Sequence, residues 1–261
     1  MEYVVICVAA VVVSGLTLFS GFGLGTLLMP AFAIFFPVEV AVAMTAVVHL
    51  ANNIFKFVLL GKYADKKVIL RFGVAAIPAA FVGAGLLLGL TRLEPLATYE
   101  LAGKELQVTP VNFVIAILMI IFAVMELGSV FTRLSISQKW LPIGGVVSGF
   151  FGGVSGHQGA VRSAFLIRCG LSKESFIATG VVISCMVDVT RLGIYLLGYS
   201  ERFAAVRIEE NYSLLAAAVG AAFIGAFVGN RLVKKVTLRA VRIIVAITLL
   251  VIAVGLGMGI I

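Results

Sequence analysis

Residues 148–165 read SGFFGGVSGHQGAVRSAF, a polar cluster inside otherwise apolar sequence. The side chains on offer are hydrogen-bond donors and cations set among glycines: Ser155, His157, Gln158 and Arg162, following Gly153 and Gly156. A guanidinium presents forked donors to an oxyanion, and histidine changes charge near neutral pH. Glycine lets a ligand approach the backbone closely, and a helix restarting after a turn offers free N–H groups to an anion. The type and spacing of these residues therefore point to an anion site.

A second group occurs earlier, where NNIFK supplies Asn52, Asn53 and Lys56. Amide donors and a cation could hold the oxygen of a carboxylate or sulfonate. The alternative is that the asparagines join helices and that Lys56 snorkels to a basic loop. Asp188 and Arg191 are spaced i, i+3 on one helix face, which suits either a structural ion pair or a pair coupling substrate to protons. His157 reads as an anion donor or a buried structural donor, His49 more readily as the latter, and Glu126 as interfacial.

These groups need a frame that tolerates them. The chain has 261 residues, of which 62% are hydrophobic and 12% charged, with a mean hydropathy of +1.18, and no soluble domain needs so much apolar surface. The class is an all-α, polytopic membrane protein, with 1–261 as a single membrane domain. Six apolar stretches are long enough to cross about 30 Å of hydrocarbon: Val38 to Leu60, Phe72 to Leu90, Val111 to Val130, Phe176 to Leu197, Ser213 to Asn230 and Ile243 to Ile261. Two further apolar regions, Tyr3 to Phe36 and Trp140 to Ile167, are interrupted by glycine.

Charge then orients the segments, because basic loops stay in the cytoplasm. Lys62, Lys66, Lys67 and Arg71, then Arg133 and Lys139, then Arg231, Lys234, Lys235, Arg239 and Arg242 mark three inner loops. The loops at 91–109 and 198–211 carry the acidic excess and face outward. Two apolar regions lie between an inner end at 139 and an outer end at 198, so one of them must return to the side it left. Leu141 to Phe151 and Gln158 to Cys169 are each roughly 17 to 20 Å as helix, short of a crossing, so a re-entrant hairpin is expected there. The same reasoning for the region broken at SGFGLG places both termini outside. Nothing marks the N-terminal segment for cleavage.

The two hairpin sequences are alike, SGFGLGTLLMPAF at 20–32 against SGFFGGVSGHQGA at 148–160. Likewise AAFVGAG at 79–85 parallels AAFIGAF at 221–227, and VLLGKY at 58–63 parallels YLLGYS at 195–200. The chain therefore divides into repeat 1, about 1–135, and repeat 2, about 136–261, each a hairpin plus three crossings and so inverted relative to the other. The site is expected where the hairpins meet, with Gly23 and Gly25 contributing from the first.

With Pro30 after the first glycine run, FPVEVAVAMTA and GLSKESFIATG after the hairpins, and FVGAG and FIGAF later in each half, the chain resembles the TauE/SafE sulfite exporter family, also called the toluene sulfonate uptake permease group. The resemblance covers nearly the whole chain. It implies a secondary transporter of small sulfur-containing anions such as sulfite or organosulfonates, in a bacterial inner membrane, driven by a proton or ion gradient. The second hairpin departs from the family's commoner glycine-proline form by having GHQGAVRS.

Other classes fit less well. A passive anion channel would use the same residues. GVSG at 153–156 is similar to the serine loop of intramembrane rhomboid proteases, but such an enzyme leaves the duplication unexplained. The basic residues form no continuous nucleic-acid surface. Two separated histidines, and Cys7, Cys169 and Cys185 in apolar sequence, indicate neither metal nor disulfide. No cofactor is expected; the expected partners are an anionic substrate and the bilayer, with a homodimer left open.

Overall fold

The computed structural model describes residues 1–20, 24–101, 103–128, 136–198, 211–232 and 238–261. Gly23 and the charged segments at 129–135, 199–210 and 233–237 lie outside the described residues. The described chain is mostly helical: α1 Glu2–Ser20, α2 Gly25–Ala33, α3 Val38–Leu60, α4 Lys66–Leu90, α5 Pro110–Leu127, α6 Leu141–Ser155, α7 Gly159–Leu166, α8 Lys173–Gly198, α9 Tyr212–Leu232 and α10 Leu238–Gly257. Among the described residues, α4, α5, α8 and α3 with the turn that follows it are long and apolar enough to cross a membrane.

Helix ends follow local chemistry. The Asp65 carboxylate caps α4 by accepting from the Val68 N–H at 2.9 Å, and the Thr109 hydroxyl caps α5, which opens on Pro110. One element departs from the all-helical expectation. β1 Ala97–Leu101 and β2 Lys104–Val108 form an antiparallel hairpin between α4 and α5, Leu101 pairing with Lys104 and Gly103 holding φ +75. Its alternating ATYEL and KELQV around a glycine turn is a strand pattern, overlooked within a short polar loop.

Two pairs of helices pack in parallel with their backbones in contact. Along α6, Gly145, Gly149 and Gly153 recur every four residues, and a Cβ on any of them would run into the carbonyls of Phe72, Ala76 and Ala80 on α4. Gly83 of α4 makes the reciprocal approach to Phe150. The pair α1 and α9 is built alike: Tyr3 meets Ser213 at 2.6 Å, and Gly225 lies against the Val11 carbonyl. Without a hydrophobic drive between helices in lipid, such small-residue contacts supply the packing.

Two other pairs run antiparallel. In α3 and α8, His49 meets Asp188 while Asp65, beyond α3, donates its N–H to Thr179. In α5 and α10, Asn112 donates to the Ile261 carbonyl and Gly257 faces Ala116. Lys62, Lys66, Lys67 and Lys139 consequently gather at one end of the bundle, and the β-hairpin with the C-terminal Gly259 at the other.

The second glycine region folds back on itself, with the Gln138 amide donating to the Arg168 carbonyl at 3.3 Å. The break between α6 and α7 falls at 156–158, later than the expected end at Phe151. Gly152 and Gly153 do not break the helix because packing against neighbouring helices rewards keeping it. The turn comes at Gly156, whose φ of +81 suits glycine.

The stripe predicts a graded response. Gly149→Leu should lower stability by at least about 1 to 3 kcal/mol through overpacking, whereas Gly85→Ala, with nothing within 4 Å of its added carbon, should be neutral or stabilising. Thermal melting of the purified variants in detergent checks the ordering; equal melting temperatures would contradict backbone contact along this seam.

Candidate functional site

Two faces with the same spacing oppose each other on α3 and α8. Thr45, His49, Asn52 and Lys56 recur at i, i+4, i+7 and i+11, and so do Ser184, Asp188, Arg191 and Tyr195. Because the helices are antiparallel and His49 meets Asp188, Thr45 lies toward Arg191 and Lys56 toward Ser184. All eight side chains are buried.

Asp188 is the hub. It is fully buried and receives five N–H groups. On Oδ2 are His49 Nδ1 at 2.6 Å and Asn53 Nδ2 at 3.4 Å; on Oδ1 are Arg191 Nη2 at 2.8 Å, Arg191 Nε at 3.0 Å and Gln158 Nε2 at 3.2 Å. An ionised carboxylate only accepts, so the His49 proton belongs on Nδ1, and Asn53 Nδ2 lies 3.3 Å from both ring nitrogens. His49 is thereby a buried donor whose partner is the Asp188 carboxylate. The shared spacing of the two helix faces is the signal that would have found it.

Near this hub the start of α2 approaches the Gly156 turn. A Cβ on Gly25, at the start of α2, would sit 3.1 Å from the Gly156 carbonyl and 3.7 Å from Thr45. A Cβ on Gly156 would sit 2.8 Å from Arg191 Nη1. Among the described residues that Nη1 has no hydrogen-bond partner, nor do Asn52 Nδ2, Thr45 Oγ1, Gln158 Oε1 and His157 Nε2, all of them buried. Unsatisfied polar atoms are costly in an interior, and two of these, Arg191 Nη1 and Thr45 Oγ1, belong to residues that flank the contact between Gly25 and Gly156.

The remaining expected residues take definite positions. Asn52 accepts from Ser14 at 3.3 Å through Oδ1, which turns its NH2 the other way. Ser155 donates to the Phe151 carbonyl at 3.2 Å and lies 3.0 Å from His157 Nδ1, while the His157 ring stacks on Phe122. With its hydroxyl proton directed to a carbonyl, Ser155 accepts from Nδ1 and is not set up as a nucleophile. Neutral His157 then carries an acceptor at Nε2, which becomes a donor when protonated.

Gly153 packs on Ala80, and its carbonyl accepts from Tyr195 at 2.5 Å. Arg162 is not grouped with Arg191: it donates to Ser184 at 2.5 Å, one turn from Asp188 toward the lysine-rich end. Lys56 is 7% exposed and Glu126, one residue before the end of α5, is 5% exposed, so both side chains are buried against protein. Among the described residues no cluster of metal-ligating side chains occurs.

A bundle of apolar helices closed around a buried polar cluster is the architecture of a polytopic membrane protein. The chain belongs to the TauE/SafE sulfite exporter family, whose model matches residues 5–256. No curated protein matches the chain.

Removing one member of a buried ion pair strands the other. Asp188→Asn should cost about 3 to 5 kcal/mol by leaving Arg191 uncompensated, and adding Arg191→Met should recover much of that loss. Chemical denaturation of the single and double variants provides the check; additive losses would show that the pair is not coupled.

Proposed function

We propose that the protein is a secondary transporter, by direction an exporter, of small sulfur-containing anions such as sulfite or an organosulfonate, working by alternating access in a bacterial inner membrane. The observation that carries this reading is the pair of donors without a partner among the described residues, Arg191 Nη1 and Thr45 Oγ1, beside the contact between Gly25 and Gly156. A guanidinium and a hydroxyl together match the oxygens of a sulfite or sulfonate group. Gln158 Oε1 and His157 Nε2 add acceptors for a proton carried by the substrate or exchanged with it.

An inverted duplication, repeat 1 to about residue 135 and repeat 2 after it, is supported by the packing. Exchanging α1 to α5 with α6 to α10 turns the pair α1 and α9 into the pair α6 and α4, and maps α3 with α8 and α5 with α10 onto themselves. The equivalent glycines of the duplicated motif, Gly83 and Gly225, make equivalent contacts with a neighbouring backbone. Re-entry of the second hairpin is supported by the bond between Gln138 and Arg168. With the lysine-rich end in the cytoplasm, both termini face outward.

Alternating access is supported by how the seam is made. Asp188 belongs to repeat 2, yet His49 and Asn53 come from repeat 1, so rocking one half against the other exchanges these donors. An anion on Arg191 competes with Asp188 for the guanidinium, which links substrate occupancy to the state of the seam.

Reconstitution in liposomes tests the reading. Under an imposed proton gradient, wild-type protein should accumulate labelled sulfite or sulfoacetate above its external concentration, and Arg191→Lys should lower uptake about ten- to a hundredfold. Equilibration without accumulation would instead identify a passive pathway, and no flux of either anion would reject the substrate class.

A further inference from the structure

We infer that the chain holds a second anion site, formed by Lys56 of α3 and Arg162 of α7, separated from the Arg191 site by the layer of His49 and Asp188. This rests on the reading of the Arg191 region as an anion site and extends it along the same path.

Four observations converge. Lys56 and Arg162 are 7% and 8% exposed, in the interior of a membrane protein, where an ionised side chain normally has a partner or a function. Among the described residues neither forms an ion pair with a carboxylate; the pairs present join Asp188 to His49 and to Arg191. Asp188 is within electrostatic range of Arg162, but its two oxygens are already taken by five N–H groups from four other residues. Finally, Lys56 and Arg162 are within electrostatic range of each other, so two like charges share one buried region.

Their placement follows from the helix register. Asn53 reaches Asp188, and Lys56 is one turn further along α3; Ser184, which accepts from Arg162, is one turn back along antiparallel α8. Both cations therefore belong to the Ser184 layer. Gly180, another turn along, leaves room for the guanidinium, since a Cβ there would lie 3.2 Å from Arg162 Nε. Beyond it Thr179 meets the backbone of Asp65, at the lysine-rich end.

Two buried cations, one of them bonded to a serine hydroxyl, fit an oxyanion with at least two oxygens, one for each charge. The ligand is thus of the same chemical class as the cargo. The two sites are stacked along α3 and α8, with Asp188 between them as a negative barrier held in check by its donors. An anion leaving Arg191 toward the lysine-rich end meets Lys56 and Arg162 next. Multi-site passage of this kind keeps each step weak enough to reverse.

Equilibrium binding of 35S-sulfite to the purified protein in detergent tests the inference. Wild type should bind two sulfites per chain. Lys56→Met should bind one, Lys56→Arg should retain both, and Thr45→Val should weaken the other site about tenfold while leaving the Lys56 site intact. Gly180→Val, which crowds the guanidinium and keeps every charge, should weaken the same site as Lys56→Met and guards against misfolding of that variant. A single sulfite lost in Thr45→Val and unaffected by Lys56→Met and Gly180→Val overturns this inference and leaves the Arg191 site standing. A single sulfite lost in Lys56→Met and unaffected by Thr45→Val overturns the Arg191 site instead. Absence of sulfite binding by wild type overturns both.

Discussion

A carboxylate with no access to water must be neutralised by the protein, and Asp188 is such a group. Charge burial of this kind costs several kcal/mol unless paired and hydrogen-bonded, so the positions of its partners are not free. Arg191 comes from its own helix, Gln158 from the end of the second glycine turn, and His49 and Asn53 from α3. One side chain thereby fixes how three segments distant in sequence meet. It also sets the orientation of Arg191, whose Nε and Nη2 face the carboxylate while Nη1 is left for something else.

That arrangement requires backbones to come closer than side chains normally allow. The glycine stripe of α6 seats it directly on α4, and Gly225 does the same between α9 and α1. With the helices so placed, Gly25 and Gly156 come into contact, and the left-handed turn at Gly156 leaves room for the guanidinium beside it. Packing and chemistry therefore use the same residue type for different purposes: glycines along the helix faces admit a neighbouring backbone, and those at the turns admit a charge.

Much of the frame was legible in the sequence because long apolar runs end where polar residues begin. Val38–Leu60 is a helix with those same bounds, and the other crossings differ by a few residues at their ends. The β-hairpin was harder to see, since its pattern occupies only five residues on each side of the turn. The end of α6 was misplaced because Gly152 and Gly153 look like breakers until α4 and α8 are known to lie against them. Within the site, Asp188 and Arg191 were readable as a pair from spacing alone. Arg162 was assigned to the turn by proximity in sequence, although a full turn of helix and a serine on α8 direct it elsewhere. His49 carried too little local context, and only the matching periodicity of two antiparallel helices indicates its partner.

The central claim is that the second glycine hairpin enters the bilayer and returns, bringing Gln158 to Asp188 from the same side on which the hairpin began. Compartment-specific thiol labelling of Gln138→Cys and Leu171→Cys, in a cysteine-free background in intact cells and inverted vesicles, tests it most directly. The account predicts that both positions react from the same side. Reaction of the two positions from opposite sides would contradict it.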